Sequence, residues 1–191
     1  LPILPSGGQS AWKNPYQDVT DSSSYYEAVC YVTEKGLMNG TSASTFSPDA
    51  AMTRAMMVTI LWRMEKEPAA LKSNFTDLTA DWYRTAVDWA AETGVVNGVG
   101  NGKFAPNATL SLEQLITILY RYAENKGYNV SKSASLDSFT DGSAVSAYAR
   151  PAMQWAVGMN FLSGNTLTPG APASRAQIAQ VLMLFCKAYI K

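Results

Sequence analysis

The sequence predicts an all-α fold of three tandem helix–loop–helix repeats. Three observations predict it: a recurring glycine motif, a proline loop after each copy, and an amphipathic stretch with a natural N-cap after each loop. The glycine motif reads Gly36-Leu37-Met38-Asn39-Gly40, then Gly94-Val95-Val96-Asn97-Gly98, then Asn160-Phe161-Leu162-Ser163-Gly164. The loops are Phe46-Ser47-Pro48, Phe104-Ala105-Pro106 and Leu167-Thr168-Pro169. In the first two copies both motifs are displaced by 58 residues, 36 to 94 and 46 to 104. A shared offset in two separate motifs marks an internal repeat.

Each repeat opens on an aromatic and an aspartate: Tyr16-Gln17-Asp18-Val19, Phe75-Thr76-Asp77-Leu78 and Phe139-Thr140-Asp141-Gly142. A first helix is predicted next, over about 25–35, 82–93 and 148–158. Ala86, Val87, Ala90 and Ala91 put one apolar face on the second of these. Gly36, Gly94 and Asn160 follow the periodic stretches, where a left-handed residue ends a helix. A second helix is predicted over about 54–65, 112–124 and 175–190. Thr53, Ser111 and Ser174 precede these as N-caps. Ser111 with Gln114, and Ser174 with Gln177, fit capping boxes. One such pair cannot bury its own apolar face, but three together can. The second helices are therefore expected to form a central three-helix bundle burying Leu61, Leu119 and Leu182. The methionines, mostly in or beside these helices, read as core. The expected division is a lead-in at 1–14, repeats at 15–70, 71–124 and 139–191, and a polar linker at 125–138.

Composition narrows the function. The chain has 191 residues, 47% of them hydrophobic, with 15 basic against 15 acidic side chains. A balanced charge argues against a nucleic-acid binder, which carries a basic excess. Histidine is absent, which removes Ser-His-Asp and Cys-His catalysis and the commonest metal ligand. No carboxylate pair stands out from the repeat pattern, so neither an enzyme nor a cofactor is expected. The two cysteines, Cys30 and Cys186, have no metal or redox spacing. They read as partly buried thiols, or as a bridge between the first and last repeats if the setting is extracellular. No apolar run is long enough to span a membrane. Residues 1–12 lack the basic start of a signal peptide.

The order aromatic-x-Asp, Ala-aliphatic, Gly-x-x-x-Gly, Phe-x-Pro and Thr-Arg-Ala resembles the S-layer homology family across residues 15–191. That family's signature at the second helix is Thr-Arg-Ala-Glu. Here it reads Thr53-Arg54-Ala55-Met56, Ser111-Leu112-Glu113-Gln114 and Ser174-Arg175-Ala176-Gln177. The glutamate is absent at its place in all three, and the second repeat has also lost the arginine. The resemblance implies a pseudo-threefold domain at the surface of a bacterium with a Gram-positive-type envelope. It implies a non-catalytic anchor, fused to a larger surface protein, that holds a secondary cell-wall polysaccharide bearing pyruvylated sugars in grooves between repeats. A protein–protein module for surface-layer assembly is the alternative.

The candidate ligand residues are Thr53, Arg54, Ser174, Arg175, Gly40, Gly98, Gly164 and Trp82. A helix N-terminus exposes unpartnered N–H groups and partial positive charge. An arginine at the first helical position adds a fork that matches a carboxylate. Together they suit a sugar acid. The same arginines also suit internal pairing that only holds repeats together. The glycines permit tight turns, and also close approach of a sugar. Trp82, Trp89 and Trp155 offer rings to a sugar face or to the core. Asp18, Asp77 and Asp141 suit turns and caps.

Overall fold

The computed structural model describes residues 12–190. The lead-in expected at 1–14 therefore lies outside the described residues except for 12–14. Six α-helices follow: α1 Tyr26–Glu34, α2 Arg54–Met64, α3 Asp81–Thr93, α4 Leu112–Asn125, α5 Arg150–Gly158 and α6 Arg175–Tyr189. A short 3₁₀ turn spans Gly142–Ala144. Among the described residues there is no strand, only isolated bridges.

The second helices start where the caps place them. Thr53, Ser111 and Ser174 each accept a hydrogen bond from the backbone N–H three residues on. Gln114 completes its capping box by accepting from the Ser111 N–H at 3.0 Å. Of the Ser174–Gln177 pair, only the bond from Gln177 N to the Ser174 hydroxyl forms, at 3.1 Å. The first helix of repeat three begins at Arg150 rather than at 148, because Pro151 sets the opening turn, where a missing N–H costs nothing. Asn160 stands in for glycine with φ +59°.

Helices pair across repeats. Helix α2 packs on α3, α4 on α5, and α6 on α1. Each second helix thus lies against the first helix of the next repeat, and the last closes on the first. The residues just before the three N-caps tie this closure together. Met52 N donates to Ala173 O at 2.8 Å, Leu110 N to Met52 O at 2.9 Å, and Ala173 N to Leu110 O at 2.9 Å. Leu61, Leu119 and Leu182 are fully buried in one contiguous core. Met52, Met57 and Met153 are fully buried there too, while Met56, Met64, Met159 and Met183 sit at its margin.

The segment after α4 is a packed strap. Asn125 itself ends α4. Beyond it, Tyr128 stacks on Tyr189 at 4.9 Å between ring centroids, and Leu136 is buried. Ala134 N donates to Gln154 O on α5. A Cβ at Gly158 would stand 2.9 Å from the Ser133 backbone, so the strap needs glycine there.

Candidate ligand-binding groove

Each repeat aspartate clamps its own proline loop. Asp18 accepts from Phe46 N at 2.8 Å and Ser47 N at 2.7 Å. Asp77 accepts from Phe104 N and Ala105 N, and Asp141 from Leu167 N and Thr168 N, at 2.7–2.9 Å. Ser47, Ala105 and Thr168 take positive φ, between 49° and 58°. Partial burial alone would raise the carboxyls of Asp18 and Asp77, but the backbone N–H bonds outweigh it and lower both below the usual range. At Asp141 the same bonds are the leading cause and lower its carboxyl too.

The clamped loops hold the arginines of the preceding second helix in the closed order. Arg54 donates from Nε to Phe104 O at 2.9 Å and from Nη2 to Asn97 O at 2.7 Å. Its guanidinium lies 4.7 Å from the Phe104 ring centroid. Arg175 repeats this on repeat one: Nε to Phe46 O at 2.8 Å, Nη2 to Asn39 O at 2.6 Å, and 4.6 Å over Phe46. Burial pulls both guanidinium pKa values down from their ordinary value. Between repeats two and three the pattern changes on both sides. Leu112 replaces the arginine, and Leu167 replaces the aromatic it would have covered.

The N–H groups at these helix starts are engaged inside the protein. Arg54 N and Ala55 N donate to Ala108 O and Pro106 O, both at 3.0 Å. Leu112 N and Glu113 N donate to Ala171 O and Pro169 O, and Arg175 N and Ala176 N to Ala50 O and Pro48 O. With the hydroxyl caps supplying the third bond, the expected open set of helix-end donors is closed. Thr53 and Ser174 thus cap their helices, and these helix ends leave no open N–H set.

One groove offers such side chains. A cavity of about 410 Å³ is lined by Arg54, Asn97, Gly98, Gln114, Arg121 and Tyr148, among others. It draws on all three repeats. Arg54 has Nε and Nη2 on carbonyls, leaving Nη1 for anything that enters. Arg121 is exposed on α4, and Tyr148 is 56% exposed. Repeat equivalence defines the other two grooves. Arg175, Arg63 and Trp82 occupy the matched positions in one; Leu112, Leu184 and Ser24 occupy them in the other. Arg63 Nη1 reaching Leu37 O at 3.3 Å and Gln180 Nε2 reaching Ser24 O at 3.4 Å agree with that assignment. Arg175 is only 6% exposed, so its groove presents far less of the arginine than the Arg54 groove does. The third set has lost both cations and the aromatic.

Arg63, Arg121 and Tyr148 were not among the sequence candidates. Their signal was present: the arginines stand ten residues after their N-caps, 53 to 63 and 111 to 121, with Leu184 matching in repeat three. Trp82 is 54% exposed and meets Tyr83 edge-on at 4.9 Å. Trp89 and Trp155 are buried. Gly40 and Gly98 have tight packing reasons: a Cβ there would stand 2.5 Å from Tyr16 and 2.6 Å from Phe75. Gly164 has open space but φ +113°.

Glu113 has a role that its sequence position hid. It is 7% exposed and accepts from Ser146 N at 2.9 Å, Ser146 Oγ at 2.6 Å and Tyr148 OH at 3.4 Å. It therefore steadies Tyr148 at the mouth of the Arg54 groove. Cys186 is a buried thiol, pushed up to about 11 mainly by burial. Among the described residues no group of side chains is arranged to hold a metal ion, and no helix is long and apolar enough to cross a membrane.

Comparison with known proteins agrees with the repeat count. The S-layer homology domain profile matches residues 15–56, 74–116 and 138–179. The chain belongs to the S-layer homology domain family and is a cell-surface anchoring module of three such repeats. It is 31% identical to an endoglucanase of Bacillus sp. (strain KSM-635), over 88% of this chain and 18% of that protein. It is 30% identical to the surface-layer 125 kDa protein of Lysinibacillus sphaericus, over 81% of this chain and 13% of that protein. A cellulosome-anchoring protein of Acetivibrio thermocellus shares 26% identity over 66% of this chain and 30% of its own length. The chain thus spans under a third of each of these relatives, and the endoglucanase match lies on a small part of that enzyme.

Proposed function

We propose that this module fastens a larger protein to the envelope of a bacterium with a Gram-positive-type wall by gripping an acidic wall polysaccharide in the groove at Arg54. The observation that carries the reading is the convergence of Arg54, Arg121 and Tyr148 on one cavity. Two guanidinium groups attract a carboxylate, and a phenol beside them supplies a flat face and a hydrogen bond to a sugar ring. A pyruvate ketal on a hexosamine fits that chemistry, because it adds a carboxylate to an otherwise neutral sugar. Thr53 and Ser174 serve this site only by capping the helices that carry the arginines, while Gly40, Gly98 and Gly164 shape its loops. Trp82 belongs to the Arg175 groove, whose arginine is largely covered. The Arg54 groove is accordingly the principal site.

Calorimetry with wall polysaccharide, before and after mild removal of the ketal, tests this. Arg121→Ala should weaken binding by about ten- to a hundred-fold, the range for losing a charge-assisted contact, with the melting temperature unchanged. Removing the ketal should weaken binding comparably, and Leu112→Ala should leave any remaining binding intact. Equal affinity for both polysaccharides would overturn the reading and favour a protein partner.

A further inference from the structure

Three asparagines are followed by glycine: Asn39-Gly40, Asn97-Gly98 and Asn101-Gly102. Such a pair is chemically labile, because glycine has no side chain to keep its backbone nitrogen away from the asparagine amide carbon. The three sites differ in how the structure treats that nitrogen.

Asn39 and Asn97 hold the same place in repeats one and two. Each backbone oxygen takes a guanidinium: Arg175 Nη2 lies 2.6 Å from Asn39 O, and Arg54 Nη2 lies 2.7 Å from Asn97 O. That oxygen belongs to the same peptide unit as the glycine nitrogen. A cation on it stabilises the charge that spreads there when the N–H ionises. The ring beside each glycine is also matched. Tyr16 meets Phe46 at 5.5 Å and 53°, and Phe75 meets Phe104 at 5.5 Å and 52°. The hydroxyl is what differs. Tyr16 OH accepts from Gly40 N at 2.9 Å and ties up that nitrogen. Phe75 has no hydroxyl, and among the described residues nothing accepts from Gly98 N. Asn97 and Gly98 are both exposed, so water reaches them. Asn101 sits in a turn closed by Lys103 N on Gly100 O at 3.0 Å. Its φ of +52° is left-handed, a backbone state that turns the next nitrogen away from the side chain. Repeat three has Ser163 in the matched place and no amide to lose.

We propose that Asn97 is a self-modification site, which loses its amide through a cyclic imide and turns one wall of the Arg54 groove acidic as the protein ages. The Gly98 nitrogen gives its proton to water and attacks Asn97 Cγ. The Cγ–Nδ2 bond breaks, and the amide nitrogen takes a proton back and leaves as ammonia. Water then opens the imide at either carbonyl, giving aspartate or isoaspartate. Water is consumed and ammonia released, with no change of oxidation state. Either product puts a carboxylate into the groove lining that Asn97 shares with Arg54 and Gly98. Isoaspartate also lengthens the backbone beside the oxygen that holds Arg54. The resulting loss of grip rests on the Arg54 groove reading; the chemistry does not.

The test ages the full chain at mildly alkaline pH and maps its peptides by mass, with isoaspartyl methyl transfer marking the rearranged product. Asn97 should convert ahead of Asn39 and Asn101. Phe75→Tyr, which copies the ring of repeat one, should slow Asn97 by about three- to ten-fold, the worth of one hydrogen bond. Tyr16→Phe should speed Asn39 by a like factor. Conversion at Asn39 or Asn101 ahead of Asn97, or an Asn97 rate unmoved by Phe75→Tyr, overturns the assignment. Calorimetry with pyruvylated wall polysaccharide reads the consequence. Fresh Asn97→Asp and aged wild type should both bind about ten-fold more weakly than fresh wild type, since a like charge then faces the ligand's carboxylate. Undiminished binding by both overturns the loss of grip while the mapped chemistry stands. No binding by fresh wild type overturns the Arg54 reading instead.

Discussion

At the scale of single residues, the aspartate clamps and the arginine struts carry distinct burdens. Each clamp carboxyl titrates below its ordinary value of 3.8. A folded-state pKa below the unfolded one adds stability that is full above about pH 4 and is lost as pH falls through the folded value. Wild-type protein should therefore lose stability as the pH falls below about 4, and Asp18→Asn/Asp77→Asn/Asp141→Asn should show a flatter acid limb in urea titrations. At pH 7 Asp77→Asn alone should cost about 1 kcal/mol, since the amide matches one N–H and opposes the other. The arginines should separate by burial. Arg175→Ala leaves two carbonyls and the Phe46 ring uncovered in a buried setting, and should destabilise by about 2–4 kcal/mol. Arg121, exposed at the groove mouth, should cost under about 0.5 kcal/mol when cut to alanine. Comparable losses in chemical denaturation would contradict the division of the two into strut and contact.

At the scale of elements, local chemistry was readable and pairing was not. N-caps, helix ends and glycine turns are set by neighbours in sequence, so Thr53, Ser111, Ser174 and Asn160 announced the helix limits. The choice of partner helix depends on distant residues. Nothing local says that α2 packs on α3, or that helix-end N–H groups would find carbonyls in the next loop. For the same reason Arg121 escaped notice. Its match with Arg63 was readable, but it becomes a site residue only because another repeat brings Tyr148 and a third brings Arg54. Glu113, next to Leu112 in the second repeat's motif, is a bracket for Tyr148 that nothing local announces. The paired change of Leu112 in repeat two and Leu167 in repeat three supplies a test at this scale. Leu112→Arg should destabilise by burying a cation against an aliphatic neighbour. Adding Leu167→Phe should restore part of the loss by rebuilding the guanidinium–ring contact. A double-mutant cycle should give a favourable coupling of about 0.5–3 kcal/mol. Additive effects would mean the two positions changed independently.

At the scale of the whole molecule, the closed order of contacts sets this chain apart from open repeat arrays, whose stability is roughly a sum over neighbours. Here α6 returns to α1 and three backbone bonds link all three cap segments. The module should therefore unfold in one transition, with helix signal and tryptophan fluorescence coinciding. Leu61→Ala, Leu119→Ala and Leu182→Ala should each lower the midpoint of that same transition, by about 2–5 kcal/mol. Separate transitions, or a mutation that melts only its own repeat, would refute a shared core.

That closure also fixes an order in time. Helix α1 is made first, yet the helix it packs against is the last, beginning about 150 residues later. At about 5–20 residues per second, the ribosome needs roughly 7–30 s to supply the partner. Until then α1 has no mate, the Phe46 loop has no guanidinium over it, and the three-way link between cap segments is open. The module thus stays unlocked until α6 emerges, and its three repeats lock together late rather than one at a time. It also means that a truncation anywhere before α6 is felt at the opposite end of the chain, in the first helix, rather than where the cut was made.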